Sequence, residues 1–142
     1  MNTLGTTIDE KQRAIIEKFE AFGGDRLKKY AYLIDLGRRL PPLDPRYKTD
    51  KNLLGGCQVQ IWLHQYMQAG KLYFEVACDS AIILGIAALL IQILSGQTLD
   101  AIRSANLYCL EEIGLQQHLS PQRANGLAAL VARLQSGQSE PE

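Results

Sequence analysis

Three thiols and two imidazoles carry most of the chemistry open to this chain: Cys57, Cys78, Cys109, His64 and His118. Cys57 is the most distinctive. It follows Gly55-Gly56, closes a long proline-bearing stretch and opens an alternating segment. Two glycines remove side-chain bulk and allow backbone conformations closed to other residues, an arrangement that suits a thiol which another macromolecule must reach. The competing reading is structural, because Cys57 shares parity with Val59 and Ile61 and could be a small buried hydrophobe whose burial raises its pKa and makes it inert. Cys78 shares the parity of Leu72, Phe74 and Val76, and Cys109 stands beside Leu110, so both read as core. Neither lies in a C-x-x-C pair with another cysteine, so the sequence gives no local support for a zinc ribbon or a thioredoxin-like site.

Cys57 and His118 are a nucleophile and a base in principle. Spacing alone gives no reason for contact, and a locally satisfied loop histidine is the simpler reading. His64 falls with Gln60 and Trp62 on one strand face and reads as a surface side chain. The sequence has no G-x-G-x-x-G, no phosphate loop and no H-E-x-x-H. Its carboxylates show no paired spacing that marks acid–base catalysis.

The elements that must hold these residues can be read from periodicity. Thr7-Ile8-Asp9-Glu10 fits a capping box, followed by Ile8, Ile15, Ile16, Phe19 and Phe22 at helical spacing, with Gly23-Gly24 as the stop. Asp25 caps a second helix with Leu27, Tyr30, Ala31 and Ile34 on one face and Gly37 as its end. Residues 38–56 hold three prolines and a closing Gly-Gly and read as a long loop. Period two then takes over. Val59, Ile61 and Leu63 alternate with Gln58, Gln60, Trp62 and His64. Gln68-Ala69-Gly70-Lys71 turns the chain, and Leu72, Phe74, Val76 and Cys78 alternate with Tyr73, Glu75, Ala77 and Asp79. The expected hairpin spans 57–67 and 72–79 and needs helical cover.

Asp79 or Ser80 caps the apolar helix Ala81–Leu94, stopped by Gly96. Thr98 starts a short helix through Arg103, Leu107, Leu110 and Ile113 suggest another, and Ser120-Pro121 starts the last. Its face is read as Ala124, Leu127, Val131 and Leu134, with Gly126 inside it explained by close packing. Residues 136–142 read as a loose tail. The fold class is α+β: a small antiparallel sheet flanked by N-terminal and C-terminal helices, in one domain with a core of about 7–135.

Composition narrows the function classes. The 142 residues are 46% hydrophobic and 21% charged, which is globular usage. Lys plus Arg is 15 and Asp plus Glu is 15, so no global positive field favours nucleic acid or an anionic membrane. Charge is nevertheless uneven: residues 11–51 carry eleven basic and six acidic side chains, whereas residues 72–142 carry three and seven. Solvated helix faces explain this; a basic rim around a docking surface is the functional alternative. The three cysteines point to a reducing compartment, and the opening residues lack signal- and transit-peptide features. The longest apolar run is shorter than a bilayer span. A cytoplasmic protein is expected.

The segments YLIDLGRRLPPL (32–43), GGCQVQIW (55–62), CDSAIILGIAALLIQILSGQT (78–98) and HLSPQRANGL (118–127), in this order, resemble the SufE family of sulfur acceptors for cysteine desulfurases in iron–sulfur cluster assembly. The resemblance implies a SufE/IscU-like fold and makes Cys57 the persulfide acceptor, with Gly55 and Gly56 giving its loop freedom. It matches Asp79 to the acidic residue opening the apolar helix and Arg123 to the arginine near the start of the last, with His118 as further possible support. Two positions depart from the family pattern: Ala77-Cys78-Asp79 stands where Asp-Ser-Asp is common, and Leu84 precedes Gly85 where many members carry lysine.

The implied partners are a SufS-type cysteine desulfurase and a downstream cluster scaffold, with no nucleic acid and no membrane; oligomeric state is open, a homodimer included. The implied activity is that of a sulfurtransferase-like accessory protein and desulfurase activator rather than a stand-alone enzyme. It needs no cofactor or metal of its own, since the desulfurase's pyridoxal phosphate liberates the sulfur. The alternative is an iron–sulfur or zinc-binding scaffold of related fold, using ligands from among Cys57, Cys78, Asp79, Cys109 and His118.

Overall fold

The computed structural model describes residues 7–54, 58–115 and 119–137. Thr7 caps α1 (Ile8–Glu20) through a reciprocal capping box with Glu10, each side chain satisfying a backbone N–H that the first turn would leave open. Asp25 caps α2 (Arg26–Arg39). A short 3-10 turn, Pro45–Tyr47, leads to the hairpin β1 (Ile61–Gln68) and β2 (Lys71–Cys78). The pair is antiparallel, with Ile61 opposite Cys78 and Gln68 opposite Lys71. Ala69 and Gly70 both adopt positive φ, 54° and 79°, the twist that a two-residue hairpin turn requires. Then follow α3 (Ala81–Leu94), α4 (Leu99–Ser104), α5 (Cys109–Glu112) and α6 (Pro121–Ser136). The architecture is α+β. No described helix is long and apolar enough to cross a membrane.

Helix α3 is the centre of the core. Ten of its residues are buried, from Ile82 to Leu94, and α1, α2, α6 and β2 all pack on it. A helix apolar on nearly every side requires neighbours all round. Its contact with α2 is close because of glycine: a Cβ at Gly85 would overlap the Leu33 carbonyl oxygen and come within 2.8 Å of Leu33 Cβ, and one at Gly37 would lie 3.1 Å from the Gly85 nitrogen.

That crossing corrects the reading of α2. The buried stripe is Leu33, Leu36 and Gly37, while Leu27 is 78% exposed and Ala31 faces solvent. Gly37 is a contact residue rather than a stop. The helix runs on to Arg39 and ends where Pro41 holds Leu40 extended, at ψ 138°. In α6 the buried residues are Gly126, Leu127, Leu130 and Leu134, so the face is rotated toward Leu130 relative to the expected one. The helix reaches Ser136, and Gly137 caps it in the left-handed conformation.

Two long-range details were not legible in the periodicity. Gln12 is 1% exposed. Its Oε1 accepts the N–H groups of Tyr108 and Cys109, and its Nε2 donates to the Asn106 carbonyl. Helix α5 has no local side-chain cap; α1 supplies one from across the fold. Within the expected 38–56 loop, the described residues 38–54 are also more ordered than their prolines suggest. Leu53 bridges Trp62 in antiparallel sense, Leu63 donates to the Asn52 carbonyl and Leu54 to the Ile61 carbonyl, each at 2.9 Å. Residues 52–54 therefore run beside the start of β1, with Asn52 and Leu54 buried.

Candidate functional site

Leu54 and Ile61 are hydrogen-bonded neighbours, so the six residues 55–60 connect two paired strands of chain. Gly55, Gly56 and Cys57 fall inside that connection and lie outside the described residues, as does His118.

The frame around this connection has three sides. On the first, residues 52–54 pair with β1. On the second stands Asp79. Its Oδ1 accepts the Gln60 N–H at 3.1 Å, and its own N–H donates to the Gln60 carbonyl at 3.2 Å. This two-bond clamp extends the pairing one step beyond the ladder. It also explains why Gln58 and Val59 are not part of β1: β2 ends at Cys78 and the chain leaves for α3 at Ser80, so these two residues have no strand opposite them, while the expected start at Cys57 lies outside the described residues. On the third side is α6. A Cβ at Gly126 would lie 3.4 Å from both Val59 Cβ and Ile61 Cδ1, so the start of α6 packs directly on the inward residues of this segment. Val59, Ile61 and Leu63 are buried and Gln58 and Gln60 exposed, as the alternation requires.

The structure brings Asp79 to the frame and puts Arg123 in the first turn of α6, three residues before Gly126. Arg123 is half-buried, and its N–H donates to the capping Ser120 Oγ. Gln60, the partner that gives Asp79 its geometry, was missed as a site residue. A carboxylate opening a helix reads as a cap, but the cap of α3 is Ser80, whose Oγ accepts the Ile83 N–H. Asp79 is thereby left for Gln60.

The two described thiols are in environments that suppress reactivity. Cys109 is 1% exposed, and burial pushes its thiol up to about 11. Cys78 is only half-buried, which corrects its assignment to the core: it is the last residue of its strand, where the sheet ends. Its Sγ accepts the Ser80 N–H at 3.4 Å. Burial, helped by the neighbouring Asp79 charge, outweighs that bond and also raises its pKa to about 11. At neutral pH both remain thiols, and the thiolate is the nucleophile. Among the described residues, no three His, Cys, Asp or Glu side chains form a group that could hold a metal ion.

The outer face of the hairpin differs from expectation too. His64 is not a free surface side chain. Its ring stacks on Tyr47 at 3.6 Å between centroids, and its Nδ1 lies 2.9 Å from Glu75 Oε1.

Residues 13–137 match the family model described as SufE, Fe-S metabolism associated domain. The chain belongs to the SufE family. It is 35% identical over 136 residues to an uncharacterized SufE-like protein of Rhizobium meliloti (strain 1021), covering 92% of this chain and 94% of that one. It is 33% identical over 126 residues to SufE-like protein 1, chloroplastic/mitochondrial, of Arabidopsis thaliana, covering 88% of this chain and 34% of that longer protein. The fold matches a solution structure of a hypothetical protein from Thermus thermophilus with a TM-score of 0.71, over 89% of this chain and 92% of that one, at 22% identity. Membership of SufE associates this chain with iron–sulfur metabolism.

Proposed function

We propose that this SufE protein is a cytoplasmic sulfur acceptor, a single domain that takes sulfane sulfur from a cysteine desulfurase onto Cys57 and passes it to a downstream cluster scaffold. The observation that carries this reading is the frame. The connection containing Cys57 is anchored on one flank by Leu54–Ile61 and on the other by Gln60–Asp79, while both described thiols are held protonated. A short segment between two fixed points can carry a thiol into a partner's cleft without disturbing the core.

The chemistry is a thiol–persulfide exchange. The Cys57 thiolate attacks the terminal sulfur of the desulfurase persulfide, the donor's S–S bond breaks, and the donor cysteine leaves as thiolate. A new S–S bond forms on Cys57, and no external oxidant or reductant is consumed. Asp79 acts as a positioning residue through Gln60, and Arg123 stands in the first turn of α6, the helix that packs on Val59 and Ile61 through Gly126. Relieving the desulfurase of its persulfide raises its turnover, which makes the chain an activator.

The test is desulfurase turnover with free cysteine, with and without this protein, followed by intact mass. Wild type is expected to raise turnover and gain one sulfur, located by digestion to the peptide containing Cys57. Cys57→Ser is expected to bind and not to activate, because a hydroxyl stays protonated and cannot carry sulfane sulfur. Full activation by Cys57→Ser, or sulfur found only on Cys78 or Cys109, would overturn the reading.

A further inference from the structure

The outer face of the hairpin is covered by rings. Trp62, His64 and Tyr66 point outward from β1, with Ala77, Glu75 and Tyr73 opposite them on β2. Tyr47 stacks on His64 with 12° between planes, Tyr66 follows at 5.7 Å from His64, and Tyr73 stacks on Tyr66 at 5.4 Å and 19°. The Arg46 guanidinium lies 5.0 Å from the Tyr47 centroid and the Lys48 ammonium 4.6 Å from that of Trp62. From Trp62 to Tyr66 the strip runs about 13 Å along the strand.

So many rings on one outward face call for a use, because Tyr, Trp and Arg are the residues that dominate binding energy at protein interfaces. Rings already stacked lose little freedom on docking. The strip is also continuous with the frame: Trp62 is the residue bridged by Leu53, one position from the Leu54–Ile61 bond that closes the connection holding Cys57. A macromolecule that reaches that connection meets the strip beside it. The charges on the face are Arg46, Lys48 and Lys71 against Asp44 and Glu75. Asp44 is bridged by Arg46 at 3.2 Å and Glu75 Oε1 lies 2.9 Å from His64 Nδ1, which leaves Lys48 and Lys71 as cations against the single carboxylate Glu75, so the face is cationic by one charge.

We propose that this ring-covered face is where the sulfur-donating desulfurase docks, through a patch of that enzyme that sets carboxylates among apolar side chains. The inference rests on the sulfur-acceptor reading for the identity of the partner. Stacked rings beside cations are also the layout of a single-stranded nucleic-acid platform, but the chain's formal net charge of zero argues for a protein.

The experiment measures desulfurase binding directly, in a Cys57→Ser background where no sulfur moves, and turnover separately with Cys57 intact. Removing two of the outer rings, Tyr66→Ala with Tyr73→Ala, is expected to weaken binding and raise the half-saturating concentration at least about tenfold, with the turnover plateau unchanged. Lys48→Glu is expected to weaken binding and reduce its salt dependence. Lys48 is exposed and gives up only its contact over the Trp62 ring, so this variant carries the test if the double variant fails to fold. Unchanged affinity in the folded variants overturns the proposal. So does loss of self-association, or of affinity for an oligothymidylate probe, while desulfurase affinity stays the same. If wild type gains no sulfur yet both variants weaken desulfurase binding, the acceptor reading falls and the docking face stands. If wild type gains sulfur and the variants bind normally, the docking face falls alone.

Discussion

Replacing Gly85 by alanine tests whether the α2–α3 crossing sets the geometry of the core. The added methyl would meet Leu33 backbone, which cannot rotate aside, and would lie within 2.8 Å of Leu33 Cβ. Relief requires the two helices to separate, which uncovers Leu33, Ile83 and Ile86, all fully buried. Overpacking of a tight core costs about 1–3 kcal/mol, and backbone overlap belongs at or beyond the upper end. The gain in helix propensity returns about 1 kcal/mol. A net loss of about 2 kcal/mol or more is expected, lowering the melting temperature by about 4–8 °C for a chain near 150 residues. Gly126→Ala is the internal control. Its methyl would meet Val59 and Ile61 side chains at 3.4 Å, an ordinary contact, so the propensity gain should leave the protein as stable as wild type or slightly more so. Gly37→Ala, at 3.1 Å from the Gly85 nitrogen, should fall between them. Urea midpoints and thermal melts on the three variants give the order. If Gly85→Ala is as stable as Gly126→Ala, the argument that this crossing is backbone-limited is wrong.

Asp79→Ala should raise amide exchange at Gln60 at least about tenfold while changing global stability by about 1 kcal/mol or less; Asp79→Asn, which keeps an acceptor oxygen, should retain most of the protection. Gln12→Ala leaves the Tyr108 and Cys109 N–H groups without their acceptor and should cost about 2–3 kcal/mol by urea denaturation; wild-type stability would refute the cross-fold cap. The thiol pKa values of Cys78 and Cys109, raised from an ordinary 9.0 to about 11, fix a sign. Between those values the unfolded chain releases protons that the folded chain keeps, so stability is full below about pH 9 and falls as pH rises toward 11. Cys109→Ala should make that decline shallower, read from urea midpoints at about pH 8 and about pH 10.

Features decided within a few residues were legible in the sequence. The caps Thr7, Asp25, Thr98 and Ser120 stand where expected, because a capping side chain bonds an N–H two or three positions away. The hairpin turn and the span of α3 were legible for the same reason. Faces decided by distant partners were misread. Leu27 fits a helical stripe but is exposed, because the Gly37–Gly85 approach rotates α2 so that Leu33 and Leu36 point inward. Three prolines made 38–56 a loop, yet the pairing of Leu53 with Trp62 depends on a strand formed later in the chain. Parity gave Cys78 its inward direction but not its half-exposure, since alternation carries no information about where a sheet ends. At the candidate site, Asp79 and Arg123 came from family resemblance, while Gln60 had no sequence signal. The ring strip was partly visible: Trp62, His64 and Tyr66 share one parity, and Tyr73 the facing one.

The nested pairing of residues 52–54 on β1, and of β1 on β2, has a consequence for how the molecule assembles. Leu54 and Ile61 are close in sequence, and Gln60 and Asp79 are 19 residues apart, whereas the Gln12–Cys109 closure spans 97. Loop-closure entropy rises with separation, and short-range contacts form first in chains of this size. The two strand-borne sides of the frame around residues 55–60 are therefore expected to be an early product of folding, formed once the chain through α3 has collapsed, with the packing of α6 and the α1–α5 closure as later steps. Mutations that weaken that late step should accelerate unfolding more than they slow refolding, leaving the order in which the frame is built unchanged.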